Sequence, residues 1–302
     1  MKYAFFLGCT IPARAMNYEI STRKIATKLG IELVDLLDFS CCGLPVKSVD
    51  FFTSVVMAAK NIAVAEEKGL DMCILCNGCA VTLVEANHLL KHDEEMKKRV
   101  NKELEKIGRE FKGTIETKHL AKILYEDVGV DKIKKEIKHP LEDFKFAAHY
   151  GCHYFKPSVV YERFDDPEFP VSLDKLIEAT GAPPVQYSTK TDCCGGGILA
   201  VSQDIALKMT KTKLDELHEK QIDAMISICP FCSVMYDANQ KSIEKDFEGD
   251  YNIPILYYPQ ALGLALGIPP DELEFKRNRI KPKEMIQRFN EKYAVPAEKP
   301  KE

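Results

Sequence analysis

Eleven cysteines stand at positions 9, 41, 42, 73, 76, 79, 152, 193, 194, 229 and 232. Their side chains can bind soft metals, attack disulfides or pair with one another, and the spacing discriminates among these. Residues 39–45 read FSCCGLP and residues 191–197 read TDCCGGG, so adjacent cysteines occur twice, each time before glycine. Adjacent thiols either close a strained vicinal disulfide or point at one metal centre as a pair of thiolates. The order single cysteine, CC, CxxC also occurs twice. In the first half 31 residues separate Cys9 from Cys41 and 33 separate Cys42 from Cys76; in the second half the gaps are 40 and 34. Neighbouring residues repeat as well: LGCT at 7–10 matches YGCH at 150–153, and LCNGCAVTLVEAN at 75–87 matches ICPFCSVMYDAN at 228–239. A duplicated unit with five cysteines per copy is the economical explanation.

Composition limits the chemistry. The chain has 302 residues, 45% of them apolar, enough for a large core and typical of two domains. Its 42 basic and 46 acidic residues give a formal charge of −4, so nothing global draws it to nucleic acid or an anionic membrane. The apolar run from Ala4 to Leu7 is shorter than the roughly 7–15 residues of a signal h-region. No segment approaches the ~20 apolar residues of a membrane span. The expectation is a soluble, cytoplasmic protein, where thiols stay reduced and clustered cysteines read as metal-binding or catalytic rather than cross-linked.

Hydrophobic periodicity supplies the elements that position the cysteines. Residues 2–8 read as a short buried strand, 13–30 as an amphipathic helix closed by Gly30, 31–37 as a second strand, 50–69 as a helix ending at Gly69, and 71–75 as a third strand. The second half repeats the alternation, with strands at FKFAAH, PPVQYS and DAMISI. This pattern predicts an α/β fold of two tandem, pseudo-repeated Rossmann-like βαβ domains with parallel sheets, covering residues 1–140 and 141–302. The Lys/Glu-rich stretch at about 91–140 reads as a helical connector, and the chain beyond Tyr257 as a helical tail with proline-rich breaks at 269–270 and 296–300, its end frayed or lying on a partner. Cys9, Cys41, Cys42, Cys76 and Cys79 all follow predicted strand ends. Ligands of parallel sheets bind in the crevice outside those ends, which gathers five thiols from three loops. The same geometry gathers Cys152, Cys193, Cys194, Cys229 and Cys232.

Five thiols exceed what a structural zinc needs, since four complete its tetrahedron. An ordinary cubane cluster also takes four, usually with three in a tight run. CILCNGC at 73–79 imitates such a run, but the second half has an apolar residue, Ile226, where the first has Cys73. Cys73 therefore reads as a small buried hydrophobe in a strand. Gly43 and Gly195, which follow the CC pairs, allow positive φ and a close approach of backbone N–H groups to cofactor sulfurs. No GxGxxG follows a strand and no flavin or ferredoxin signature is present, so electrons must arrive from a partner.

The two cysteine repeats, with their CCG turns and CxxC pairs, resemble the CCG domains of the B subunit of heterodisulfide reductase from methanogenic archaea. That resemblance covers almost the whole chain. It implies one noncubane [4Fe-4S] cluster on Cys9, Cys41, Cys42, Cys76 and Cys79 and a second on Cys152, Cys193, Cys194, Cys229 and Cys232, with some thiolates bridging irons, and no FAD or NAD on this chain. It further implies reduction of the mixed disulfide of coenzyme M and coenzyme B, the last step of methanogenesis. The substrate lies between the clusters, each taking one sulfur at an iron and delivering one electron, so that the S–S bond breaks homolytically without a cysteine nucleophile. The implied partners are a small, ferredoxin-like C subunit with cubane clusters and a flavin-bearing, electron-bifurcating A subunit, with a hydrogenase or formate dehydrogenase completing the assembly. Such a substrate carries a sulfonate, a phosphate and a carboxylate, which makes Arg14, Lys47, His153, Lys156 and Lys190 candidate anion contacts beside the ligand loops. His149 reads as a satisfied core histidine, and His88 and His92 as helix-surface residues. Alternatives are a thiol-dependent reductase of fumarate or another disulfide, a zinc-binding scaffold, and a thiol–disulfide exchanger.

Overall fold

The computed structural model describes residues 1–294. Two four-stranded parallel sheets carry the fold. The first contains β1 (Lys2–Phe6), β2 (Glu32–Val34), β3 (Asp71–Ile74) and β4 (Thr117–His119), in the order β2-β1-β3-β4. The second contains β5 (Phe146–His149), β6 (Pro184–Val185), β7 (Ala224–Ser227) and β8 (Ile255–Tyr257), in the matching order β6-β5-β7-β8. Along β1, Tyr3 and Phe5 enter one apolar core while Ala4 and Phe6 enter the other, as the two-residue period of a strand covered on both faces requires. The chain leaves β1 towards β2 on one side and β3 lies on the other, so the sheet switches direction between β1 and β3; Cys9 and Cys76 follow those two strands.

The helices sit where the sequence places them. Residues Met16–Leu29 form a helix whose C-cap, Gly30, is left-handed at φ 71°. Phe51–Glu66 follows Asp50, whose carboxylate accepts the Thr53 N–H at 3.0 Å and caps the helix. The connector expected to be helical throughout is corrected by the structure: after the helix Glu94–Glu105 it contributes β4, which pairs with β3 at Cys73↔Lys118. β8 likewise pairs with β7, immediately before the helix Tyr258–Ala265. Both are three-residue edge strands, too short to show a period, and β4 carries polar residues suited to a sheet edge. The expected strands at 31–37 and 183–188 shrink to Glu32–Val34 and Pro184–Val185 for a related reason, since both are edges that leave the sheet for a cysteine loop. The proline break at 269–270 opens a short 3₁₀ turn, Pro270–Leu273, and a last helix spans Lys283–Tyr293. The second break, at 296–300, lies outside the described residues.

Neither sheet closes its core alone. Each of the two apolar cores draws residues from both halves. Met16–Leu29 packs against Tyr258–Ala265, and Tyr18 stacks on Tyr257 with ring centroids 4.2 Å apart. The turn after Cys9 packs on the short helix Pro230–Ser233 of the second half, and the turn Cys152–Tyr154 packs on the helix Asn77–His92 of the first. The halves therefore exchange contacts at the very segments that carry cysteines.

Candidate metal centre

Each cysteine of the two repeats occupies a turn after a strand or the start of a helix. Cys76 and Cys229 are extended residues capping Asn77–His92 and Pro230–Ser233, and Cys79 and Cys232 lie one turn further in. The helix amides there favour thiolates. The CC turns are shaped by their glycines. Gly43 has φ 96° and Gly195 φ 81°, so both are left-handed. A Cβ on Gly43 would meet the Ser54 carbonyl oxygen at 2.8 Å, and one on Gly195 the Ala206 carbonyl oxygen at 2.6 Å. Each turn thus lies directly on the backbone of the helix that follows it. From this turn the Gly195 N–H donates to Cys193 Sγ and the Gly196 N–H to Cys194 Sγ, both at 3.4 Å.

The thiols form a continuous series through the molecule. Cys42 meets Cys79, which meets Cys76; Cys76 meets Cys229 of the other half; and the series continues through Cys232, Cys194 and Cys193 to Cys152. At its outer end Cys41 adjoins Cys42 and shares a cleft with Cys9. Close thiol neighbours split their acidities. Cys42 falls to about 7 chiefly through Cys79, and Cys193 to about 2 chiefly through Cys152. Cys194 is held up at about 12, first by its neighbour Cys193. At the junction Cys76 is raised and Cys229 lowered, each chiefly through its neighbouring thiols. Cys9 and Cys193 are exposed, Cys41 and Cys152 half-buried, and the remaining ligand candidates buried. Cys73 is fully buried on β3, in the opposite core from the other buried thiols, with its acidity suppressed by burial. Among the described residues no three of these side chains converge closely enough to hold a single metal ion, so the ten thiols form a string rather than a closed cage, and the eleventh lies apart from it in the opposite core.

The residues present fit a sulfur-ligated cofactor. Space beside the thiols is cleared by glycine: a Cβ on Gly8 would lie 2.8 Å from Cys79 Sγ, and one on Gly151 3.2 Å from Cys232 Sγ. The donor set is all thiol and suits iron-sulfur chemistry. A cleft of about 550 Å³ opens beside Cys9 and Cys41, lined also by Phe39, Leu36 and Arg23.

Four polar residues absent from the sequence-based candidates hold this arrangement. Buried Asn61 accepts from the Ser40 N–H at 2.8 Å and donates to the Cys41 carbonyl at 3.0 Å, fixing the first CC turn. Lys213, 1% exposed, donates to carbonyls of the loop before Cys193. Asn77 Nδ2 donates to the Tyr150 carbonyl across the halves at 2.7 Å. His119 Nε2 lies 3.1 Å from both the Leu75 and the Ile228 carbonyls, one residue before Cys76 and Cys229. Its Nδ1 accepts the Ala121 N–H, so Nε2 is the donor, and burial keeps the ring neutral with its pKa lowered to about 4. Lys213 was detectable in principle, because it falls on the apolar stripe of its helix with Ala206, Thr210, Leu214 and Leu217.

Among the candidate anion contacts, Arg14, His153 and Lys156 are exposed on the turns following Cys9 and Cys152. Lys47 is paired with Glu85, and Lys190 with Asp174 at 2.8 Å in a largely buried contact. His149 is buried with Nδ1 3.3 Å from Lys213 Nζ, but its Nε2 has no hydrogen-bond partner, so it is not the satisfied core histidine expected. His88 and His92 lie against each other near the end of their helix, ring centroids 4.4 Å apart and tilted by 36°.

A family model described as a cysteine-rich domain, CCG, matches residues 3–84 and again 146–237. The B subunit of the ferredoxin/F(420)H(2)-dependent CoB-CoM heterodisulfide reductase of Methanosarcina acetivorans is 41% identical over 96% of this chain and 97% of its own. The 8-methylmenaquinol:fumarate reductase membrane anchor subunit of Wolinella succinogenes is 31% identical over 92% of this chain and 97% of its own. Among solved structures, a hypothetical protein from Helicobacter pylori shares the fold with a TM-score of 0.73 at 16% identity, over 93% of this chain and 52% of that one. With both cysteine-rich repeats matched and similarity running nearly end to end, the chain belongs to the CCG-domain family of heterodisulfide reductase B subunits.

Proposed function

We propose that the chain is the catalytic subunit of an iron-sulfur oxidoreductase that splits the coenzyme M–coenzyme B heterodisulfide into its two thiols. In this reading Cys9, Cys41, Cys42, Cys76 and Cys79 hold one noncubane [4Fe-4S] cluster, and Cys152, Cys193, Cys194, Cys229 and Cys232 hold the other. The domains divide at residue 140, between the helix Val130–Glu136 and β5. The observation that supports the reading is the meeting of Cys76 and Cys229, which brings one cysteine of each proposed set of five together at the junction of the halves. Two adjacent sulfur-binding sites match the two adjacent sulfurs of a disulfide.

When bound, such clusters supply single electrons and iron with affinity for sulfur. The chain's own residues do the rest. Asn61 and Lys213 fix the CC turns, His119 and Asn77 pin the inner cysteine loops together across the halves, and backbone N–H groups donate to the ligand sulfurs. Exposed Arg14, His153 and Lys156 are the contacts we assign to substrate anions, Lys47 and Lys190 serving only if they leave Glu85 and Asp174.

Electrons reach the chain from partner proteins, which we take to be a cubane-bearing C subunit and a flavin-bearing A subunit, with a hydrogenase or formate dehydrogenase beyond them. Among the described residues no helix is long and apolar enough to cross a membrane. A second reading, reduction of fumarate or another acceptor, is favoured by the similarity to the Wolinella succinogenes protein. The test is anaerobic purification with iron, sulfide and zinc quantified per chain, followed by EPR of the oxidised protein with and without coenzyme M. About eight irons with eight sulfides and a thiol-dependent signal support the reading. Zinc without sulfide overturns it, and a thiol-independent signal with fumarate turnover favours the second reading.

A further inference from the structure

The halves follow one plan, so the positions that break the plan show where their chemistry differs. Phe6, ahead of Gly8 and Cys9, corresponds to His149 ahead of Gly151 and Cys152. Asn61 corresponds to Lys213, each lying two turns along the helix from the residue, Ser54 or Ala206, that presses on the CC-turn glycine. The first site therefore has a phenyl ring and a neutral amide behind its CC turn, whereas the second has an imidazole and an amine.

That amine has the surroundings of a cation. Lys213 Nζ donates to the carbonyls of Thr189, Lys190 (3.0 Å) and Asp192 (3.3 Å), the loop that runs into Cys193. Three carbonyls call for three protons, which an ammonium has and a neutral amine lacks. His149 Nδ1 lies 3.3 Å away and the Tyr187 ring centroid 5.5 Å away. Burial pushes the ammonium's pKa down to about 8, and Asp192 is foremost among the neighbours opposing that push. At the first site the nearest comparable lysine, Lys60, is only half-buried and reaches the Asp38 carbonyl from the solvent side, where water screens it.

Reducing a cluster adds negative charge, and a buried cation nearby favours that step most where the dielectric is low. We infer that Lys213 is a tuning residue that gives the centre on Cys152, Cys193, Cys194, Cys229 and Cys232 the higher reduction potential of the two. Electrons entering the pair settle on the second centre, and the first is the stronger reductant. This rests on the proposed reading that both thiol sets hold clusters.

The experiment uses the full chain, loaded anaerobically, with iron and sulfide quantified before any potential is measured. Potentiometric EPR titration follows, with signals assigned by losing one centre in Cys42→Ser and the other in Cys194→Ser. Lys213→Gln shifts the second midpoint to lower potential and leaves the first in place, while Lys213→Arg keeps both. If Lys213→Gln fails to load, the order of the two wild-type midpoints decides the matter. A loaded Lys213→Gln chain with an unmoved second midpoint overturns the proposal, as does a wild-type chain whose first centre has the higher potential. Wild-type protein without iron and sulfide overturns the cluster reading, and this inference with it.

Discussion

Replacing Gly43 with alanine isolates the close approach that shapes the first CC turn, and Gly30→Ala supplies the reference. Both glycines are left-handed, at φ 96° and 71°. Alanine in that region costs about 1–2 kcal/mol, offset by about 0.4–1 kcal/mol because the unfolded chain loses freedom. At Gly30 nothing lies within 4 Å of an added Cβ, so the net loss there is about 1.5 kcal/mol or less. At Gly43 the Cβ would sit 2.8 Å from the Ser54 carbonyl oxygen and 3.1 Å from Ser54 Oγ, which itself donates to the Gly43 carbonyl at 3.0 Å. Forcing that backbone apart adds about 1–3 kcal/mol, and the lost hydrogen bond about 1 kcal/mol. Gly43→Ala should therefore be about 2–4 kcal/mol less stable than Gly30→Ala, or roughly 4–8 °C in Tm at about 2 °C per kcal/mol for a chain of this size. Urea and thermal unfolding of the reduced, metal-free variants, followed by circular dichroism, measure the difference. Two variants within about 0.5 kcal/mol of each other, near the limit to which such effects are additive, would refute the claim that the turn rests on the helix backbone.

Asn61→Ala leaves the Ser40 N–H and Cys41 carbonyl without their partner, so unfolding should show a loss of about 2–4 kcal/mol and first-site iron should fall while second-site iron persists. Cys73→Ala should keep the full iron content, because that thiol lies in the opposite core, whereas Cys79→Ser should lose the first site's share. His119 is buried and neutral, with its pKa lowered by desolvation from 6.5 to about 4, so its contribution is complete above pH 6.5 and is lost as pH falls towards 4, by roughly 3 kcal/mol. The stability advantage of wild type over His119→Phe should accordingly narrow across that interval in pH-dependent urea unfolding; a constant gap would show that the ring takes up its proton equally well in the folded chain.

What could be read from the sequence was whatever the chain writes locally. Five ordered cysteines with matching neighbours mark the repeat, and the long helix Phe51–Glu66 announces itself through its apolar stripe and the capping Asp50. The demotion of Cys73 rested on Ile226 standing opposite it in the repeat, and both side chains do share one core. Three-residue edge strands leave no such trace: β4 borrows its strand character from pairing with β3 inside a stretch otherwise suited to helix. Residues that act between the halves are equally silent, since His119 gains its role only when Leu75 and Ile228, 44 and 109 positions away, turn their carbonyls towards it. Lys213 is the intermediate case, a charge on an apolar stripe, visible as an anomaly but not as a function until the loop it binds is in view.

The crossed packing of the halves also dictates the order in which the protein can be made. The helix Met16–Leu29 is among the first segments to leave the ribosome, yet its seat is the helix Tyr258–Ala265, synthesised almost last. Until then the nascent chain carries the six thiols of its first half on an incomplete scaffold, with Tyr18 lacking the Tyr257 ring and Cys76 lacking Cys229. Such a chain cannot mature one copy at a time, as independent tandem domains do. Cofactor insertion becomes a late event, and expression of either half alone should yield an aggregation-prone fragment rather than a one-cluster enzyme.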